Sequence, residues 1–391
     1  MSKLTDIERE LNPFSIYREL RQDDPVYMDP QRRSWNIFRY DDVQRALSDW
    51  KTFSSQFARI RNIDTSMPFS ASMISSDPPR HRQLRSLVTQ AFTPKAVEAL
   101  GPRIEEIVKE QLDWVMEQES MDVIGDLGIP LPVTVIAELL GIPPSDRDRF
   151  KRWSDVVVSR ANFGENMDPA QFMNPDVIEM GQYFFNMIME RRQSPGDDLI
   201  SGLLAANIDG EQLSEIELLG FCMLLLVAGN ETTTNLIGNA MLTFAEQPEA
   251  WQALRNKPEL LDTAIEEVLR FRSPVQAMFR VTQEDVAMAG KTIPAGSRVV
   301  AWIGSANHDE SQFQDPECFD IRREPNRHLA FGYGIHYCLG APLARLEARI
   351  ALREMLERFR TFKIPPETKL EPLPSLIVFG VRSLPIEFQK A

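Results

Sequence analysis

Between Phe331 and Arg349 the chain reads FGYGIHYCLGAPLARLEAR, one cysteine set between three glycines and a strongly helical run. Gly332 and Gly334 make a pliable loop, because glycine reaches backbone angles other residues avoid and lets a flat ligand come close to the main chain. From Leu339 onward, Leu343, Leu346, Ile350, Leu352 and Leu356 with arginines between them have the spacing of an amphipathic helix, and Pro342 suits its first turn. Cys338 therefore stands at a helix N-terminus, where unpaired N–H groups and the positive end of the helix dipole favour a thiolate over a thiol. Any fold for this chain has to present a sulfur anion at the head of a long helix.

Three chemistries compete for that anion: nucleophilic attack, structural zinc and ligation of haem iron. A nucleophile needs a base, and His336, two residues away on an extended loop, points to the opposite side. Zinc needs about four Cys or His ligands in paired spacings. The chain has three cysteines and four histidines, all scattered. The pattern Phe331-Gly-x-Gly-x-His336-x-Cys338-x-Gly340 resembles the signature of the cytochrome P450 family, the haem-thiolate monooxygenases. The resemblance implies haem b, iron protoporphyrin IX, with Cys338 as its metal ligand and O2 as co-substrate. It implies Phe331 as a shield for the sulfur, Gly332 as a flat floor for the porphyrin, and Gly340 as room for the helix start, with the N–H groups of Leu339 and Gly340 tuning the sulfur. Cys222 and Cys318 are read as ordinary free cysteines.

A second stretch, LLLVAGNETTTNLIGNAM, places Glu231 and three threonines in the middle of the longest apolar helical run, where buried polar groups need partners. Gly229 at a helix centre costs roughly 1 kcal/mol against Ala, and a widened turn beside it is expected. The stretch is similar to the family's Ala-Gly-x-(Asp/Glu)-Thr-Thr pattern, which implies Ala228 and Gly229 against the haem, Thr232 as the hydroxyl and Glu231 as the carboxyl of a proton relay. Thr233 and Thr234 are expected to back-bond to their own helix.

Glu267 and Arg270 in AIEEVLRFRSP are spaced i and i+3 and share a helix face. This resembles the family's Glu-x-x-Arg pair, which fixes the loop before the cysteine with a third partner, His328 or Arg323. The haem propionates need cations. By resemblance these are His81 and Arg85, at i and i+4 in DPPRHRQLR, together with Arg280 and His336. Arg80 and Arg82 are read as solvated.

Segments that line the substrate side in the family are apolar here: Met67, Phe69 and Ile74 (with Met73) in a long irregular stretch, Leu225 and Ala228 on the long helix, Val275, Gln276, Ala277 and Met278, and Phe379 after Ile377 and Val378. Apolar walls with few polar anchors suit a lipophilic substrate such as a fatty acid, terpenoid or steroid. Gln276 is the single amide among them.

The net charge of −14 over 391 residues excludes a nucleic-acid partner, which needs a basic face. Ile321 to Arg353 runs against that balance, with six arginines and two acids. An acidic ferredoxin or flavodoxin could dock there, with a reductase and NAD(P)H upstream, unless these are ordinary solvated helix arginines. The N-terminus lacks an apolar signal region, and the run GFCMLLLVAG is about half a bilayer span. A cytoplasmic monomer of bacterial type, without a membrane span, is expected.

No repeat or linker divides the chain, so one haem domain over 1–391 is expected, mainly α with a small β region. The family's fold, a triangular helical prism enclosing haem, is what the resemblance implies. Helices are expected over Phe14–Gln22, Asp41–Leu47, Arg80–Ala91, Pro94–Gln118, Leu131–Leu140, Val177–Arg192, Ser214–Ala245 and Glu259–Phe271. Hairpins are expected over 25–40, over 285–307 with PAG as the turn, and between 375–381 and 385–389. Two rivals to the monooxygenase are a peroxide-driven peroxygenase, which needs no Glu231/Thr232 relay, and a haem sensor without turnover.

Overall fold

The computed structural model describes residues 4, 7, 11–56, 71–160, 174–208 and 210–391. The chain forms two compact units, one of Met1–Phe53, Gly101–Leu131 and Thr232–Ala391, the other of Ser54–Leu100 and Pro132–Glu231. Helices dominate both, and the strands are few and short.

In the first unit, Val26–Asp29 pairs antiparallel with Ser34–Ile37, the hairpin that the apolar alternation of 25–40 predicts. Ser34–Ile37 continues parallel to Arg298–Trp302, which runs antiparallel to Ala277–Thr282. Val26, Ile37, Val299 and Ala301 of this sheet are buried against Val43 and Leu47 of the helix Tyr40–Ser48. Segment 285–307 is not one hairpin around PAG. Val286–Met288 turns back at Ala289 and Gly290, both at positive φ, into Lys291–Ile293. PAG instead leads to Arg298–Trp302, whose partners lie elsewhere in the chain.

The expected C-terminal hairpin is also absent. Pro385–Lys390 lies between Ser120–Asp122 and Phe359–Lys363, both antiparallel to it. The 375–381 segment pairs with 274–276 instead: Gln276 N–H donates to Ile377 O at 2.6 Å and Phe379 N–H to Pro274 O at 2.8 Å.

Pro94–Gln118 divides into Pro94–Glu98, capped by Thr93, and Gly101–Val115. The helix expected from Glu259 starts as a 3-10 turn at Pro258–Leu260 and becomes regular at Leu261–Phe271. The helix after the cysteine covers Ala341–Arg358 with Pro342 in its first turn.

The second unit holds Arg80–Ala91, with the expected bounds, and Pro175–Gln193, whose cap Asn174 accepts from Asp176 N–H. Two of its helices escape the sequence reading, Leu199–Ala205 and Arg147–Arg160. The latter is charged over much of its length and is tied across to Pro175–Gln193, as Arg149, Arg152 and the Trp153 indole all donate to Glu179.

Glu215–Glu246 is the longest helix, one residue displaced from the expected bounds at each end. Its length and hydropathy would suffice to cross a membrane. Here Phe221, Cys222, Leu226, Leu236, Ile237, Met241 and Phe244 are buried, which is how a core helix behaves.

Candidate functional site

The cysteine loop is folded by backbone bonds before any ligand is considered. Cys338 N–H donates to Phe331 O and Gly332 N–H to Leu329 O, each at 2.8 Å. Gly332 and Gly334 sit at φ +73° and +72°, which side chains strongly disfavour. At Gly334 a Cβ would also stand 2.8 Å from the Ser48 Cα, so the Tyr40–Ser48 helix packs where only glycine fits. Residues Gly334–His336 form a 3-10 turn rather than the extended stretch the sequence suggests. Gly340 is the N-cap of Ala341–Arg358, and Cys338 lies half-buried two residues before it.

A buried charge cluster fixes the segment that leads into this loop. Glu267 and Arg270 are both fully buried and paired at 2.7 Å. The third partner is Arg323, whose Nε donates to both Glu267 oxygens at 3.1 Å, and Asn326 Nδ2 and Asp320 N–H complete the set. Arg270 also donates to the carbonyls of Asn307, Pro316 and Cys318. His328 goes to Glu266 at 3.0 Å, not to Glu267. Arg345 likewise grips Glu266 with two 2.7 Å bonds. Of the basic run, Arg345, Arg349 and Arg353 face carboxylates brought in from distant helices, Glu266, Asp262 and Glu105. Arg322 and Arg327 remain exposed.

The long helix carries the second constellation without a widened turn: it is regular from Ala228 through Asn235. Gly229 has a packing reason instead, since a Cβ there would fall 2.8 Å from the Ile136 Cδ1. Burial pushes the Glu231 carboxyl up to about 7, and Thr232 is half-buried. Thr234 does not back-bond to its own helix but donates to Gly128 O at 2.7 Å. Thr233 hydrogen-bonds Glu347, a fully buried carboxyl on Ala341–Arg358 that burial raises to about 8. Nothing in the local sequence pattern marks Glu347, because only its helical neighbours, not its depth, are legible there.

Among the other expected cationic groups, Arg280 on Ala277–Thr282 is buried and donates to Phe279 O at 2.7 Å. His336 is half-buried in the loop. In the second unit His81 is buried and Arg85 half-buried on Arg80–Ala91. Arg80 is not solvated as read; it holds Glu217 through two bonds.

Of the apolar set, Val275, Gln276 and Phe379 are brought together by the pairing of 274–276 with 377–379. The Gln276 amide is engaged at both ends, accepting from Tyr17 OH and donating to Ser273 O, each at 2.6 Å. Ala277 is buried and Met278 packs on the sheet core. In the second unit Ile74 lies in the 3-10 turn Met73–Ser75, Leu225 is half-buried and Ala228 exposed. Met67 and Phe69 lie outside the described residues.

These residues fit a thiolate-held haem. The loop offers a soft sulfur donor beside two glycines at positive φ, and Arg280 is a buried cation of the kind a propionate needs. Among the described residues no cluster of three or more His, Cys, Asp or Glu could hold a bare metal ion.

A sequence model described as Cytochrome P450 matches residues 3–131 and 173–389. Cytochrome P450 109 of Bacillus spizizenii is 45% identical over 99% of this chain and 94% of its own length. Erythromycin C-12 hydroxylase of Saccharopolyspora erythraea is 40% identical over 94% of this chain and 92% of its own. The crystal structure of CYP109E1 from Bacillus megaterium in complex with testosterone superposes with a TM-score of 0.87 at 45% identity, covering 96% of this chain and 99% of that one.

Proposed function

This chain belongs to the cytochrome P450 family of haem-thiolate monooxygenases, and from that premise we propose that it hydroxylates a lipophilic small molecule, such as a steroid, fatty acid or terpenoid, with electrons from separate proteins. Haem held by a cysteine thiolate supplies the activation of O2, the thiolate's electron donation favouring O–O cleavage. Both compact units are taken as parts of one haem domain, since the family match runs through each of them.

In this reading Cys338 is the ligand, Phe331 keeps water from the sulfur, and Gly332 and Gly334 keep the loop flat. Arg280, His336, His81 and Arg85 bind the propionates. Glu231, with a carboxyl poised near 7, exchanges protons with solvent and hands them to the Thr232 hydroxyl next along the helix. The apolar side chains of Val275, Met278 and Phe379 in the first unit, and of Ile74, Leu225 and Ala228 in the second, are the candidates for substrate contact, whereas Ala277 is fully buried and offers no surface. The steroid-bound CYP109E1 structures, with testosterone and with corticosterone, support a steroid-sized ligand. Gln276, committed to Tyr17 and Ser273, orders the 274–276 segment rather than anchoring a ligand.

The observation that carries the reading is the half-buried Cys338, seated before a helix N-cap in a glycine loop whose incoming segment the Glu267–Arg270–Arg323 cluster fixes. The test is the visible spectrum of the reduced protein with carbon monoxide. A red-shifted Soret band, lost in Cys338→Ser, is expected; a histidine-type band in the parent protein overturns the assignment. Titration with testosterone, a fatty acid and a terpenoid ranks the substrates by the spectral change on loss of iron-bound water.

An acidic ferredoxin or flavodoxin fits the exposed Arg322 and Arg327. Reversing both charges is expected to slow reduction by such a partner, with the slowing abolished at high salt. A soluble, cytoplasmic protein agrees with the long helix acting as core.

A further inference from the structure

Glu266 stands beside Glu267 on Leu261–Phe271, yet its bonds go elsewhere. Its two oxygens take a two-pronged grip from Arg345, seven residues after Cys338, and a third bond from His328, ten residues before it. Ala330 N–H donates to the His328 Nδ1 at 3.2 Å, which leaves Nε2 to donate to Glu266. The Arg345 guanidinium lies over the Phe331 ring at 4.4 Å from its centre and donates to Tyr337 OH at 3.3 Å. Phe331 accepts the Cys338 N–H, and Tyr337 is the residue before the sulfur. One carboxylate therefore reaches both flanks of the cysteine through two side chains, and it also balances the Arg345 guanidinium that touches those flanks. Burial alone would raise its pKa, but the bonds from Arg345 and His328 outweigh burial and hold it at about 2, so the charge is permanent.

We propose that Glu266 is a positioning residue for the Cys338 thiolate: through Arg345 and His328 it fixes Phe331 and Tyr337, and it offsets the Arg345 charge beside the ligand. This rests on the haem-thiolate reading of the site. Groups that orient a ligand and set the field around it tune the electron donation of that ligand. Arginine suits the role, because its planar fork pairs with a carboxylate in two bonds while its face covers an aromatic ring. The same cluster removes Arg345 from the set of arginines free to meet a partner, because reversing its charge would break the brace of the loop.

The experiment measures the midpoint reduction potential and the carbon monoxide band of the haem-loaded parent, Glu266→Gln, Arg345→Gln and the double variant. Glu266→Gln leaves a positive charge uncompensated beside the thiolate and is expected to raise the potential. Arg345→Gln leaves a negative charge and is expected to lower it, and the double variant is expected to return toward the parent. Opposed shifts with recovery support the field-setting role, since mere loosening of the loop would move both single variants the same way. Same-direction shifts, or no shift in Glu266→Gln, overturn it. A Glu266→Gln protein too unstable to load leaves the comparison of Arg345→Gln with the double variant, in which the double variant has to lie above Arg345→Gln for the proposal to stand. A parent lacking the thiolate band is a failure of the functional reading instead, and the two failures are told apart at that first measurement.

Discussion

Glu267, which fixes the segment leading into the cysteine loop, and Glu231, midway along the long helix, are both acids withdrawn from water, yet their surroundings have opposite logic. Glu267 accepts bonds from Arg270, Arg323, Asn326 and the Asp320 backbone, so that its geometry is over-determined. Burial pushes the Glu231 carboxyl up to about 7, where it can be either acid or base. The surroundings of Glu267 hold a side chain still, while those of Glu231 let a proton come and go, which is what the relay proposed above needs.

The largest effect that could break this contrast is at the locked end. Replacing Glu267 by Gln strands the fully buried Arg270 and loosens the hold on the partly exposed Arg323, and breaking a buried pair from one side costs about 3–5 kcal/mol. Urea unfolding of the holoprotein is expected to register a loss of that size, together with loss of haem on loading. A loss under about 1 kcal/mol would mean the cluster is solvated or redundant, and the contrast would fail.

How much of this was legible in the chain follows from which contacts are local. The Glu267–Arg270 pair, the Cys338 loop and the helix Arg80–Ala91 are each built from residues close together in sequence, so spacing alone finds them. Arg323 could be named but not separated from His328, because the two glutamates that divide them are adjacent. Glu266 itself was missed: its partner Arg345 is 79 residues away, and an acid beside Glu-x-x-Arg looks like an ordinary helix surface. The strand Pro385–Lys390 was legible but its pairing was not, since its neighbours at Ser120–Asp122 and Phe359–Lys363 are chosen by packing rather than by a turn. Arg147–Arg160 escaped because its charged face hides the apolar period, and its bonds to Glu179 arise only in three dimensions.

At the variable end, Glu231→Gln keeps the shape and removes the proton. Product formation is expected to fall on the order of 10²-fold, with reductant consumption falling less and peroxide appearing in its place. The sign with pH follows from the protonated carboxyl being the donor. With a carboxyl near 7, the parent is expected to lose product yield as pH rises through 7, while the Gln variant stays flat. A parent profile that is flat from pH 6 to 8 would remove Glu231 from the relay and leave Thr232 with another source of protons.

Glu347 sharpens the comparison because it breaks the division by location. It belongs to the helix that follows the cysteine, yet it resembles Glu231: burial raises it to about 8, outweighing the Thr233 hydroxyl bond that lowers it, and among the described residues its Oε1 has no hydrogen-bond partner. Unfolded, the same carboxyl titrates near its ordinary value of about 4.3. Below that value it is protonated in both states and has no effect on folding. Between it and about 8 the unfolded chain has lost the proton that the folded one retains, so stability falls as pH rises, by about 1.4 kcal/mol per unit, and levels off above 8. Glu347→Gln is neutral in both states and removes this slope, so its advantage over the parent in urea unfolding is expected to grow from pH 5 to pH 8. An advantage that stays constant with pH would mean that Glu347 is ionised in the folded protein and tied down by a counter-charge, as Glu267 is, so that the cysteine side would be locked throughout.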